Sequence, residues 1–151
     1  TPRFYFDFGR HLTYFKRGQT PWTPAVSVLF SLDLALERML AEGMEAIHTR
    51  QAVIGRKTRE GIKALGLKLF AADESSASNT VTAVHVPEEV DAGKLLGLLR
   101  TEHNTVLAGG QGPAMEGKVF RIGHMGYVSE QDIDGVLEAL GEALPQVGFT
   151  V

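Results

Sequence analysis

The sequence predicts an α+β chain: two long helices, then a small, mostly antiparallel sheet covered on one face by helices. Three observations carry this expectation. Residues 25–40 are apolar almost all round, and residues 43–65 then place apolar positions on one face at helical spacing. After Gly66 the pattern changes to short alternating runs separated by turn residues. The order strand, strand, helix, strand, strand, helix favours a single helix-covered sheet.

Each element has a local reason. The opening segment, 1–23, has no sustained period; the run Phe4-Tyr5-Phe6-Asp7-Phe8 alternates weakly, as a strand or an arm laid on other protein. Pro21 and Pro24 favour extended backbone before each of them. Thr23 is placed as a helix N-cap with Pro24 at the first helical position. Val26, Val28, Leu29, Phe30, Leu32, Leu34, Leu36, Met39 and Leu40 leave the following helix without a polar face. Such a helix is normally buried on all sides, and 151 residues hardly suffice to surround it. Its apolar surface is expected to meet more protein than is present here. From Gly43, which kinks a continuous helix or separates two, Met44, Ile47, Gln51, Ile54, Thr58, Ile62 and Leu65 fall on one face, and Gly66 is the C-terminal stop.

Strands are expected at 67–71, 80–86, 105–108 and 118–123, and a helix capped by Asp91 over 91–100. Ser129 with Asp132 reads as a capping box opening a helix whose face carries Ile133, Val136, Leu137, Leu140, Ala143, Leu144 and Val147. The expected segments are 1–23, the end of a preceding domain; 24–66, connecting helices; and 67–151, a small α+β domain.

Composition removes whole classes of function. With 15 Lys+Arg against 18 Asp+Glu the net charge is −3. No global basic field serves nucleic acid or an anionic membrane. Hydrophobic residues at 44% and charged residues at 22% describe a globular chain. The absence of cysteine excludes disulfides, thiolate metal sites and cysteine nucleophiles within it. Apolar runs are too interrupted to span a membrane, no secretory leader is visible, and cytoplasm is the expected location. The opening at Thr1, without methionine, is what a fragment or processed product would show.

Three features bear chemistry. In Lys118-Val119-Phe120-Arg121-Ile122-Gly123-His124, a period of two puts Phe120, Ile122 and His124 on the core face and Arg121 on the other, beside Gly123. A guanidinium there suits a carboxylate through two parallel hydrogen bonds; the plain alternative is a solvated strand arginine. Gly109-Gly110-Gln111-Gly112 offers backbone N–H groups to an anion, or is merely a flexible loop. Thr20 and Thr23, before a helix N-terminus, suit a phosphate, or Thr23 simply caps the helix. The five histidines have no metal-ligand spacing, so no metal is expected; His48 and His85 read as structural and His124 as packed near the site. None of the lysines at 16, 57, 63, 68, 94 and 118 has the setting of a buried carbonyl-binding amine.

Taken in register, three motifs resemble class V aminotransferases. They are Gly18-Gln19-Thr20-Pro21-Trp22-Thr23-Pro24-Ala25-Val26-Ser27, Ala108-Gly109-Gly110-Gln111-Gly112, and Phe120-Arg121-Ile122-Gly123-His124-Met125-Gly126-Tyr127. The nearest group is the alanine–glyoxylate/serine–pyruvate branch, some members of which carry the older label of soluble hydrogenase small subunit. The resemblance runs the whole chain.

It implies the C-terminal part of a fold type I pyridoxal 5'-phosphate (PLP) enzyme, a homodimer with its active sites at the subunit interface. Amino groups would pass from alanine or serine to glyoxylate or pyruvate. By this resemblance Arg121 holds the substrate carboxylate. Thr20 and Thr23, of which Thr23 is the better match, contact the cofactor phosphate of the neighbouring subunit. The lysine that anchors the cofactor, the aspartate facing its ring nitrogen and the stacking aromatic belong to a large domain upstream, so the chain alone is expected to be inactive. A cysteine desulfurase is opposed by the lack of cysteine, a class V lyase less so. A free-standing α+β ligand-binding or regulatory module would leave the 25–40 helix uncovered.

Overall fold

The computed structural model describes residues 3–150; Thr1, Pro2 and Val151, the ends of the first and last expected segments, lie outside the described residues. The chain divides into two compact units, Thr1–Met44 and Glu45–Val151.

The first unit holds two helices, α1 (Phe8–Phe15) and α2 (Val26–Glu42). Of the expected strand or arm over Phe4–Phe8, residues 4–6 form a bend and turn rather than a strand, and α1 begins at Phe8. The Asp7 side chain accepts from Arg10 N–H at 3.1 Å and caps that helix. Trp22 gathers an aromatic cluster, with ring centroids at 5.0 Å from Tyr5, 5.2 Å from Phe4 and 5.3 Å from His11. Helix α2 also starts later than Thr23 and Pro24 suggest. Its N-cap is Ala25, at φ −75° and ψ 71°, and no side chain caps it. Val26 N–H donates to the Pro24 carbonyl at 2.8 Å, so an inverse γ-turn separates proline from helix. No residue of α2 is buried: Val28, Leu29, Leu32 and Leu36 are 63%, 55%, 51% and 47% exposed. Its own unit thus leaves this helix uncovered, in line with the absence of a polar face.

Gly43, at φ 85°, ends α2 and separates it from α3 (Met44–Ala64). In the second unit α3 is followed by a single 3-10 turn at Glu74–Ser76, then β1 (Val81–His85), α4 (Ala92–Glu102), β2 (Ala108–Gly109), β3 (Val119–Gly123) and α5 (Glu130–Gln146). Gly66 stops α3 at φ 72°: Gly66 N–H donates to the Lys63 carbonyl and Leu67 N–H to that of Ile62. That double closure is a Schellman motif, with Ile62 and Leu67 both buried. Asp91 caps α4 through Lys94 N–H at 2.8 Å. Ser129 and Asp132 form the expected capping box.

The sheet is antiparallel throughout, in the order β1-β3-β2. The expected 67–71 strand reduces to one bridge, Leu69 to Val84, and 105–108 to the two-residue β2. Register sets Thr82 opposite Ile122 and Val84 opposite Phe120. These four are buried. The core joins Val84, Phe120 and Ile122 to Ile62 of α3, Leu95 and Leu99 of α4, and Leu140, Ala143 and Leu144 of α5. Full burial of Phe120 and Ile122 contributes roughly 1.5–3 kcal/mol each.

Helices α3 and α5 approach closely at Gly61, where a Cβ would collide with the Leu137 methyl carbons. Gly61→Ala gains helix propensity of about 1 kcal/mol but overpacks this contact. We expect a net loss of about 1–3 kcal/mol, partly restored by adding Leu137→Ala. Urea unfolding followed by far-UV circular dichroism measures it; a Gly61→Ala chain more stable than the native one would disprove the close packing.

Candidate functional site

Arg121 lies on β3, the central strand, and is half-buried. The pleat that buries Phe120, Ile122 and His124 sends Arg121 to the opposite face, as the alternation predicts. Across the strands it faces Ala83 on β1 and Ala108 on β2, and Gly123 lies two residues along on the same face. The guanidinium therefore rises over a floor of small residues. Its Nε donates to the Gly109 carbonyl at 3.1 Å. Among the described residues no carboxylate pairs with it. A half-buried guanidinium with unspent donors is suited to an anion.

The segment after β3 is tied to α3. Gln51, buried, donates from Nε2 to the Gly126 carbonyl at 2.9 Å, and Arg50 from Nη1 to the same oxygen at 3.0 Å. His124 is fully buried, with Nε2 2.9 Å from the Thr82 hydroxyl. Burial lowers its pKa below 6.5; the Asn79 backbone opposes that shift and the Arg59 charge adds to it. The ring is held neutral and packed at the end of β3, as the alternation of β3 suggests.

The glycine loop closes into a turn against the segment that precedes β3. Met115 and Glu116 N–H both donate to the Gly112 carbonyl at 3.1 Å. Gly110 lies against the Met115 carbonyl, where a Cβ would collide with the oxygen. The glycines serve a tight turn, and the Gly109 carbonyl accepts from Arg121 Nε.

Thr20 and Thr23 belong to the first unit and are exposed. Thr20 donates its hydroxyl to the Trp22 carbonyl at 2.6 Å. The Thr23 hydroxyl makes no such bond and does not cap α2. Lys57 is half-buried and bound to Asp134 at 2.8 Å and Glu130 at 3.6 Å, while the other five lysines are exposed. Among the described residues no group of three or more His, Asp or Glu residues is placed to hold a metal ion. None of the helices there is long and apolar enough to cross a membrane.

The alternation of β3 placed Arg121 and Gly123 on one face, but the sequence did not show that Ala83 and Ala108 stand opposite Arg121 or that its Nε meets the Gly109 carbonyl. That placement follows from cross-strand register, which no local pattern carries.

A small antiparallel sheet with helices packed on it is shared with known proteins as a class. The chain matches the C-terminal portion of the class V aminotransferases in sequence and in fold. It is 42% identical over 149 residues to the soluble hydrogenase small subunit of Synechococcus, covering 99% of this chain and 38% of that protein. It is 38% identical over 148 residues to the serine–glyoxylate aminotransferase of Arabidopsis thaliana, covering 97% and 37%. The crystal structure of pyridoxamine–pyruvate aminotransferase from Mesorhizobium loti superposes with a TM-score of 0.82 at 40% identity, over 86% of this chain and 33% of that one. The chain thus spans under two fifths of the length of these relatives. No family model matches it.

The neutral, buried His124 has a pH consequence. Its unfolded form binds a proton near pH 6.5 and its folded form only at lower pH. Stability from this group is complete above pH 6.5 and is lost as pH falls through 6.5 toward the depressed value. We expect urea unfolding of the native chain to weaken across that window, and His124→Gln, which cannot titrate, to flatten the slope. Equal slopes in the two chains would show that His124 titrates normally.

Proposed function

We propose that the full-length protein is a PLP-dependent aminotransferase, a cytoplasmic homodimer moving an amino group from alanine or serine to glyoxylate or pyruvate. The observation that carries this is Arg121: an arginine with no acid partner among the described residues, half-buried above small residues, on a strand within the stretch that the relatives match. Two of those relatives are named for transfer to glyoxylate and to pyruvate.

In this reading Arg121 binds the α-carboxylate of the amino donor and then of the oxo acid. A carboxylate held at two points fixes the orientation of the bonds at the α-carbon, so the proton to be removed stands in the reactive direction. The alanine and glycine floor leaves room for the bound acid. PLP, when bound, supplies the electron sink for that step.

The turn before α2 fits a phosphate. The first turn of α2 has no side-chain cap, and the Thr23 hydroxyl is not engaged in one. Helix N–H groups, the positive end of the helix dipole and a hydroxyl donor favour an anion there. Thr20, whose hydroxyl proton is committed to Trp22, fits less well. These groups would hold the phosphate in the neighbouring subunit, and the rest of the protein would carry the cofactor-anchoring lysine and the large domain. Segments 1–23, 24–66 and 67–151 are then the end of that domain, the connecting helices and the small domain.

Arg121→Lys in the full-length enzyme keeps the charge but loses the fork. We expect kcat/KM for the amino donor to fall by about 2–4 kcal/mol of transition-state binding; an unchanged kcat/KM would remove Arg121 from the site. The 151-residue chain alone, mixed with PLP, alanine and glyoxylate, should form no pyruvate, because its six lysines lie at exposed or ion-paired positions. Pyruvate formation, together with a borohydride-stable cofactor adduct on one of those lysines, would place the anchoring group here.

A further inference from the structure

We propose that the Gly109 carbonyl is the positioning group of the Arg121 clamp, and that Gly110, through its side-chain-free contact with the Met115 carbonyl, is the residue that sets it. The proposal rests on Arg121 as the carboxylate-binding group. It adds the direction from which the carboxylate is taken and the part of the fold that fixes that direction.

A guanidinium offers a carboxylate two edges, one between its two Nη atoms and one between Nε and a single Nη. Here Nε is spent within the protein, donating to Gly109 at 3.1 Å. The Nη1/Nη2 edge alone remains for two parallel bonds, so the carboxylate is gripped end-on, along the axis of the side chain. The same bond holds the guanidinium plane. Without it the terminal torsions of a long side chain turn freely, and a second well-aligned bond is lost to most of the orientations.

The Gly109 oxygen cannot owe its place to β2 alone. That strand has two residues, paired only through Ala108 to Arg121 and Gly109 to Phe120. The following turn supplies the rest. Gly110 packs on Met115 so closely that an added Cβ would collide with the Met115 oxygen, with the carbonyl carbon at 2.7 Å and Met115 Cβ at 2.9 Å. That oxygen accepts from Lys118 N–H at 3.1 Å and Val119 N–H at 3.2 Å. Val119 is the first residue of β3, two before Arg121. Acceptor and donor are therefore fixed by one closed turn: Gly109 leads to Gly110, Gly110 rests on Met115, and Met115 holds Val119. The contact is with backbone, so a methyl group at position 110 cannot be relieved by a rotamer change. It must lift the end of β2 from Met115 or Met115 from β3, and either shift separates Gly109 from Arg121 Nε.

The test compares Gly110→Ala with Gly117→Asn and with Arg121→Lys in the full-length holoenzyme. Gly117, in the same turn, has φ 72° and open space around it, a backbone that asparagine tolerates. L-serine and L-alanine serve as donors beside their carboxamides, which lack the charged second acceptor. We expect Gly110→Ala to raise KM for the amino acid about tenfold, the loss of one charge-assisted bond, and KM for the carboxamide less than about twofold. Gly117→Asn should match the native enzyme. The 151-residue chain supplies a readout free of turnover: the Arg121 Nε–H resonance should exchange slowly with water in the native chain and in Gly117→Asn, and rapidly in Gly110→Ala. An equal rise in both KM values, or a protected Nε–H in Gly110→Ala, overturns the proposal. If Arg121→Lys itself leaves kcat/KM intact, the carboxylate reading fails separately, and the resonance still decides whether Gly110 holds the guanidinium.

Discussion

Strand β3 is hydrogen-bonded on both sides, and its alternation ties the core to the candidate site. Phe120, Ile122 and His124 point into the interior; Arg121, between them in sequence, points away. A slip of one residue would exchange the two sets. It would bury an unpaired guanidinium, at a cost of several kcal/mol after relaxation, and expose Phe120. The core therefore enforces the orientation of the arginine more firmly than any contact of the arginine does. The flanking strands add the second condition. Only small residues stand opposite Arg121, so the face it rises from is shallow and accessible.

Both ends of β3 are tethered to other parts of the second unit. At its start the Met115 carbonyl accepts from Lys118 and Val119. Past its end, Gln51 and Arg50 converge on the Gly126 carbonyl, and His124 meets Thr82 across the sheet. Helix α3 is thus more than a cover. Its apolar residues fill the core, while Gln51 and Arg50 near its N-terminal end hold the turn that follows the arginine strand. Gly61 lets α5 approach α3, and Lys57 links the two again through Asp134. These fixed surroundings keep a strand arginine at one angle, which a solvated strand arginine does not need.

Features set by local chemistry were legible in the sequence. The alternation of β3, the Asp91 cap, the Ser129–Asp132 box and the Gly66 stop each depend on residues within a few positions of one another. Features set by long-range pairing were not. Strands at 67–71 and 105–108 have strand-like composition, but their extent depends on what edge remains to pair with, and they shrink to a bridge and two residues. The floor under Arg121 needs the register of Ala83 and Ala108, and neither alanine is distinctive by itself. The α1 helix went unread because the segment after Phe8 has no sustained period, although its Asp7 cap is local. Thr23 and Pro24 look like a helix start, yet the γ-turn at Ala25 delays it, a choice of backbone that residue type alone leaves open.

The two units differ in how they are held. Every buried apolar residue of the main cluster lies in the second unit, and none of the described residues of the first is buried. The Arg121 setting is therefore built from contacts inside one packed core. The Thr20–Thr23 turn has only local bonds, from Thr20 to Trp22 and from Val26 to Pro24, next to a helix whose leucines and valines face solvent. An apolar surface of that extent is stable when covered, and the relatives are long enough to cover it, since this chain accounts for under two fifths of them. The surroundings of Arg121 are thus fixed within the second unit, whereas the turn before α2 is held by local bonds alone.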